Sequence, residues 1–183
     1  DVYNTAVGYA AGGAVTTGLV NTLVGGLAGD AITTGNDNTT LGYGSLSANT
    51  ASNRNTAVGS ATLAAFNVTT DTHTYNTALG YGAANAVTTG VRNTLVGGLA
   101  GDALTDADDN VAMGTSALTT DTLGSRSVAI GKESLAVQNF TTATNSHNTA
   151  VGAFSGNAVT TGINNTLIGG LAGSALTGGD NNL

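Results

Sequence analysis

Residues 76–97 read NTALGYGAANAVTTGVRNTLVG. The pentad that opens this stretch, Asn76-Thr77-Ala78-Leu79-Gly80, returns as Asn93-Thr94-Leu95-Val96-Gly97, 17 positions later. Working outward, related pentads start at Asn4, Asn21, Asn38, Asn55, Asn110, Asn148 and Asn165, with a Ser-initiated copy at Ser127. Successive starts lie 17 residues apart, except for two steps of 21, Asn55 to Asn76 and Ser127 to Asn148. Ten copies at near-fixed spacing mark a repeat architecture, and that decides the fold.

A 17-residue unit is too short for a helix pair, whose repeats run to about 33 residues or more. The density of Gly, Thr, Asn and β-branched residues also disfavours helix. One short strand, a Gly turn, a second short strand and a polar turn fit the length. Stacked in register, such units form an all-β parallel β-solenoid of about ten coils, roughly 48 Å long at ~4.8 Å per coil. A longer period lies on top: Asn4, Asn76 and Asn148 are 72 residues apart. The text after them agrees closely (AVTTGLVNTLVGGLAGDA from Ala14, AVTTGVRNTLVGGLAGDA from Ala86, AVTTGINNTLIGGLAGSA from Ala158). Duplication of four-coil blocks accounts for it.

Residues one period apart share a column, so each column should carry one chemistry. The residue before the repeat glycine is always large and apolar: Val7, Val24, Leu41, Val58, Leu79, Val96, Met113, Ile130, Val151, Ile168. This column is expected to point into the coil. Its neighbour, on the opposite face of the strand, is apolar at nine of ten positions, Thr40 being the exception. A strand apolar on both faces is covered on both, and a thin coil covers only one. A second chain is therefore expected, giving a homo-oligomer. The repeat glycines are expected at positive φ or at a close backbone approach, and the Asn column as a ladder of stacked amides.

Two coil types alternate in pairs. One carries an apolar plug seven after the glycine (Val15, Ile32, Val87, Leu104, Val159, Leu176); the other has Leu four after it (Leu46, Leu63, Leu118, Leu135). Charges stack too: Asp37 is one period before Arg54, and Arg92, Asp109 and Arg126 follow one another at 17-residue steps. Exposed ion-pair ladders are expected, each worth little. The two 21-residue coils carry their extra residues around 67–75 and 139–147, and loops on rigid scaffolds often carry function. Candidate surface contacts are therefore Asn67, His73, Tyr75, Asn139, Phe140 and His147.

Composition narrows the function. The chain has 183 residues, net charge −7, 28 glycines and no Pro, Cys or Trp. With 40% hydrophobic residues and 8% charged, it does not fit disorder, which combines low hydrophobicity with high charge. Four basic residues, Arg54, Arg92, Arg126 and Lys132, leave no footprint for nucleic acid. No uninterrupted apolar stretch of ~18 residues occurs, so no membrane insertion is expected. The search for chemistry finds no catalytic set, no cofactor site and no metal set. His73 and His147 lack a Ser-Asp arrangement, and Asp30 and Asp102 share a column four coils apart, about 19 Å along the axis. Asp106, Asp108 and Asp109 crowd together without the spacing of a calcium loop. No enzyme is expected. A face of Ala and Thr, the latter eight after the glycine (Thr16, Thr33, Thr88 and others), supports an alternative, ice binding. A polysaccharide-degrading tailspike is a weaker one.

Ser127 to Leu135, SVAIGKESL, resembles the head repeat of YadA-like trimeric autotransporter adhesins. NTAVG, NTLVG and NTALGYG resemble related repeats of phage tail fibres and bacterial surface proteins. The resemblance covers all ten coils, although the adhesin heads use somewhat shorter ones. It implies a left-handed parallel β-roll and a homotrimer. It also implies the head or shaft of an extracellular fibre on a cell or virion, presenting shallow multivalent surface to host glycans or proteins. The whole chain, 1–183, is expected to be one such domain, a segment of a longer fibre protein.

Overall fold

The computed structural model describes residues 2–183. Its strands are β1 (Thr5–Val7), β2 (Thr22–Val24), β3 (Thr39–Leu41), β4 (Thr56–Val58), β5 (Thr77–Leu79), β6 (Thr94–Val96), β7 (Val111–Met113), β8 (Gly124–Ser125), β9 (Val128–Ile130), β10 (Thr144–Asn145), β11 (Thr149–Val151) and β12 (Thr166–Ile168). Among the described residues there is no helix. Ten strands, one from each pentad, form a single sheet in the order β1-β2-β3-β4-β5-β6-β7-β9-β11-β12. Every pairing is parallel and in register, for example Thr77↔Thr94, Ala78↔Leu95 and Leu79↔Val96. The chain is a β-solenoid of about ten coils, as the repeat predicts. Both 21-residue coils keep this register, Thr56↔Thr77 and Thr149↔Val128, because their extra residues loop out before the next strand.

The second strand expected in each coil forms only in the seventh and eighth, as the two-residue β8 and β10 that pair in parallel (Thr144↔Gly124, Asn145↔Ser125), and is missing from the rest. Turns take its place, and their backbones still stack: Thr16, Thr33 and Thr88 donate their N–H groups to Thr33, Thr50 and Thr105 carbonyls at 3.0, 2.9 and 2.9 Å. The cause is local backbone geometry. In each coil the residues two and four after the repeat glycine, and the one before the pentad, are left-handed; in the sixth coil these are Leu99 (φ 58°), Gly101 (φ 56°) and Arg92 (φ 58°). Such residues bend the chain at every few positions and keep any second extended run to the two residues of β8 and β10. The repeat glycine is needed for two reasons. Gly97 has φ 135°, and a Cβ there would stand 2.5 Å from the Gly114 carbonyl oxygen in the next coil.

The facing of the strands is the reverse of the sequence expectation. The middle residue of each strand from β2 on is buried, as in Leu23, Ala57, Ala112 and Ala150. The large residue before the glycine points out: Val7 is 58% exposed and Ile168 69%. Volume explains this. The interior must also hold the side chains four and seven after the glycine, which leaves room for only a small residue at mid-strand, Ala or the buried Thr40, or for Leu where the +4 residue is Gly. All three mid-strand leucines obey this rule: a Cβ on Gly29, Gly101 or Gly173 would come within 2.9, 2.9 and 2.7 Å of Leu23, Leu95 and Leu167. Where mid-strand is small, Leu46, Leu63, Leu118 and Leu135 fill the space and are fully buried. These alternatives build one core running along the solenoid.

Polar ladders hold the coils together. Asn21, Asn38, Asn93 and Asn110 are buried. The Asn21 side-chain oxygen accepts the Asn38 N–H at 3.0 Å, and Asn93 accepts that of Asn110 at 3.0 Å. The Asn93 amide donates to the Ala107 carbonyl at 2.7 Å. Each Asn thus satisfies buried backbone groups of two neighbouring segments, which would otherwise cost about 1–3 kcal/mol each.

Candidate functional surface

The outer face of the main sheet is its most regular surface. Two columns project from it: Thr5, Thr22, Thr39, Thr56, Thr77, Thr94, Val111, Val128, Thr149 and Thr166 on one side, and Val7 through Ile168 on the other. Strand alternation places both on one face. Along the axis, neighbours in a column are one strand spacing apart, about 4.8 Å. The hydroxyls of the eight strand threonines make no hydrogen bond within the described chain. The threonines eight after the glycine differ: Thr16, Thr33, Thr88, Thr105 and Thr160 donate to the next coil's carbonyl at 3.0–3.3 Å. The Ala/Thr face is therefore hydrogen-bonded scaffold, whereas the strand face offers free hydroxyls beside an apolar row.

The residues expected in the two loops separate into different environments. His73 is exposed and forms a parallel bridge with Asn53, its Nδ1 lying 3.5 Å from the Asn53 amide. Its ring meets that of Tyr75 edge-on at 6.0 Å. Tyr75 and His147 are the left-handed residues before their pentads, exposed and in line with Arg54 and Arg126. Asn67 and Asn139 are half-buried and accept the hydroxyls of Thr50 and Thr122 at 2.9 and 3.1 Å; they replace the ladder threonine. Phe140 is a correction. It is only 7% exposed, with its ring turned towards Gly124, where an added Cβ would stand 2.8 Å away. It closes the second loop from inside and offers no contact surface.

The charge column stands in part. Arg92 pairs with Asp109 at 2.6 Å and lies 3.5 Å from Asp108. Arg54 lies 3.5 Å from Asp37 but donates a closer hydrogen bond, 2.8 Å, to the Tyr75 hydroxyl. Tyr75 is the main cause of the raised Arg54 pKa. The Arg92 hydrogen bond holds the Asp109 carboxyl below its ordinary value. Arg126 forms no ion pair among the described residues, though its charge also lowers the Asp109 pKa. The acidic cluster is spoken for: Asp106 accepts the Thr89 hydroxyl at 2.6 Å, and Asp108 accepts the Val91 N–H at 2.8 Å. Among the described residues no three His, Asp or Glu side chains gather to hold a metal, and no cavity opens.

One buried cluster escapes the column reading. The position seven after the glycine is Asn49, Asp121 and Gln138 in three coils that carry Leu at +4, and all three are fully buried. Asp121 accepts the Gln138 amide at 2.6 Å and the Gly124 and Phe140 N–H groups at 3.0 Å. Burial nevertheless outweighs these donors and raises the Asp121 pKa. Gln138 also donates to Ser127 at 2.8 Å and accepts the Asn148 amide at 2.8 Å. With Ser at 127, Gln138 accepts the Asn148 side-chain amide, as Asn148 accepts that of Asn165, and the Asn148 N–H goes to the Ser146 hydroxyl. Reading the +7 column through all ten coils, instead of stopping at the leucines, reveals the cluster. Comparison with protein-family models, with curated proteins and with solved structures returned no match.

Proposed function

We propose that this chain is a segment of an extracellular homotrimeric fibre, packed about the Thr/Val face of its sheet and presenting its other faces for shallow, multivalent attachment. One observation carries the reading: ten large apolar side chains stand in a single outward row, half-buried or exposed along its length. A continuous apolar strip of this kind marks an interaction surface. Parallel copies satisfy it well, because identical columns on each copy meet in the same register and their free threonine hydroxyls can pair across the seam. The resemblance of SVAIGKESL and the NTAVG-type pentads to trimeric adhesin and tail-fibre repeats supports the same arrangement. Weak sites repeated around such a rod act through avidity.

Sedimentation velocity with small-angle scattering tests it. The expected result is an elongated trimer that the paired substitution Val58→Lys and Val96→Lys converts to a monomer with unchanged circular dichroism. A wild-type chain that stays monomeric at submillimolar concentration overturns it. The free hydroxyls of the strand threonines favour a second reading, ice binding by the same face. Thermal hysteresis from the monomer, abolished by Thr77→Lys, is its signature.

A further inference from the structure

Three exposed tyrosines lie in one column on the turn that follows the strands. Tyr9, Tyr43 and Tyr81 each come directly after the repeat glycine, in the first, third and fifth coils, and are 83%, 64% and 68% exposed. Their backbones are locked into the stack. Tyr9, Tyr43 and Tyr81 carbonyls accept the Leu27, Ala61 and Leu99 N–H groups at 2.8, 2.9 and 2.9 Å. The intervening coils have Gly26 and Ser60 at this position, so the rings are separated by two coil rises, about 9.6 Å. None of the three rings pairs with another aromatic or a cation, and none of their hydroxyls has a partner, among the described residues.

The surroundings are uncharged, low beside Tyr43 and bordered beside Tyr81 by the exposed Leu99 side chain, which lies over Gly82. The Tyr43 ring reaches back along the axis over Gly26, where an added Cβ would lie 3.4 Å from the ring. Beside it, a Cβ on Gly44 would meet nothing within 4 Å, so the ring borders an open, low floor. The turn residues 8–10, 25–27, 42–44, 59–61 and 80–82 contain no charge.

We propose that this row is a docking strip for an extended, uncharged β-1,4-linked glycan. Two coil rises are close to the length of one disaccharide in an extended chain of glucose or N-acetylglucosamine, so each ring meets the same face of every second sugar. The apolar C–H face of a pyranose stacks on an aromatic face, and the tyrosine hydroxyl is free to bond the sugar's rim. Tyrosine also loses little conformational freedom when it does so. A ligand lying along a surface strip needs no cavity, and a neutral strip suits a neutral polymer. The proposal deepens the attachment role given above by naming the ligand class, and it places the contacts on this row instead of the two loops.

The test is binding of the intact protein to microcrystalline cellulose and to chitin powder, with amylose as a control of different linkage. Every variant is also sedimented. Binding to at least one β-1,4 polymer and not to amylose is expected. Tyr43→Ala should weaken it about tenfold, the size of one aromatic stacking contact, while Tyr43→Phe should retain most of it. The triple Tyr9→Ala, Tyr43→Ala, Tyr81→Ala variant should abolish it without altering the sedimentation coefficient. Failure to bind either β-1,4 polymer, or full binding by the triple variant, overturns the proposal. So does a triple variant that falls apart into smaller species, since the row would then be a surface between copies. A wild-type monomer that binds cellulose through the tyrosines would sink the trimer and leave the glycan strip standing.

Discussion

A Cβ added to Gly101 would stand 2.9 Å from the Leu95 Cδ2 atom and 2.9 Å from the Leu104 Cδ1 atom. The mid-strand leucine and the +4 glycine therefore compete for one volume. Gly101→Ala is expected to cost about 1–3 kcal/mol, combining overpacking with a side chain at positive φ. The double change Leu95→Ala, Gly101→Leu recreates the Ala57/Leu63 pattern of the fourth coil and should recover more than half of that loss. Urea unfolding of the single and double variants measures it; a double variant no better than the single would refute the shared volume.

The Asn ladder predicts a steep response to small changes. Asn93→Ala leaves the Asn110 N–H and the Ala107 carbonyl buried without their partner, and should cost about 2–4 kcal/mol. Asn93→Asp keeps the acceptor but turns a carboxylate towards the Ala107 carbonyl, so it should be no better. Thermal unfolding at neutral pH decides between this and a tolerant ladder.

Asp121 gives stability an unusual pH sign. Its pKa is raised in the folded chain by burial, so the folded state holds this proton more tightly than the unfolded one. Its contribution is fully present below the ordinary carboxylate pKa, about 3.9, and is lost as pH rises through the raised folded value. The half-buried Asp109, held low by Arg92, works the other way, losing its contribution as pH falls. The difference in melting temperature between wild type and Asp121→Asn, measured across this range, isolates the buried group. Wild type should lose ground to the variant as pH rises; a constant difference would count against it.

The second loop should depend on its buried aromatic. Phe140→Ala removes the ring that lies against Gly124 and is expected to cost about 2–4 kcal/mol, with faster proteolysis between residues 139 and 146. Val68→Ala in the first loop, where residues 69–73 are already exposed, should change cleavage far less.

The solenoid was legible because ten pentads impose one period, and the parallel register follows from it. Strand facing was not, because alternation says only that Val96 and Leu95 point to opposite sides. Which side is inner depends on how much room Gly101 and Leu104 leave, a three-column volume problem invisible within one strand. Phe140 misled for a related reason: a loop aromatic reads as exposed until Asp121, 19 positions earlier, is seen to bind its backbone. The tyrosine row could be found from the column after the glycine, where Tyr9, Tyr43 and Tyr81 alternate with Gly26 and Ser60.

The in-register pairing of each strand with the one 17 or 21 residues along bears on how such a rod can evolve. Every new winding closes a loop of the same short span, so the entropic toll of assembly per winding does not grow with the length of the polypeptide. Copying another 72-residue block would extend the rod by four windings, roughly 19 Å, while leaving the kinetics of each closure untouched. Reach and foldability are thereby uncoupled, and a lineage can tune one by unequal recombination without renegotiating the other.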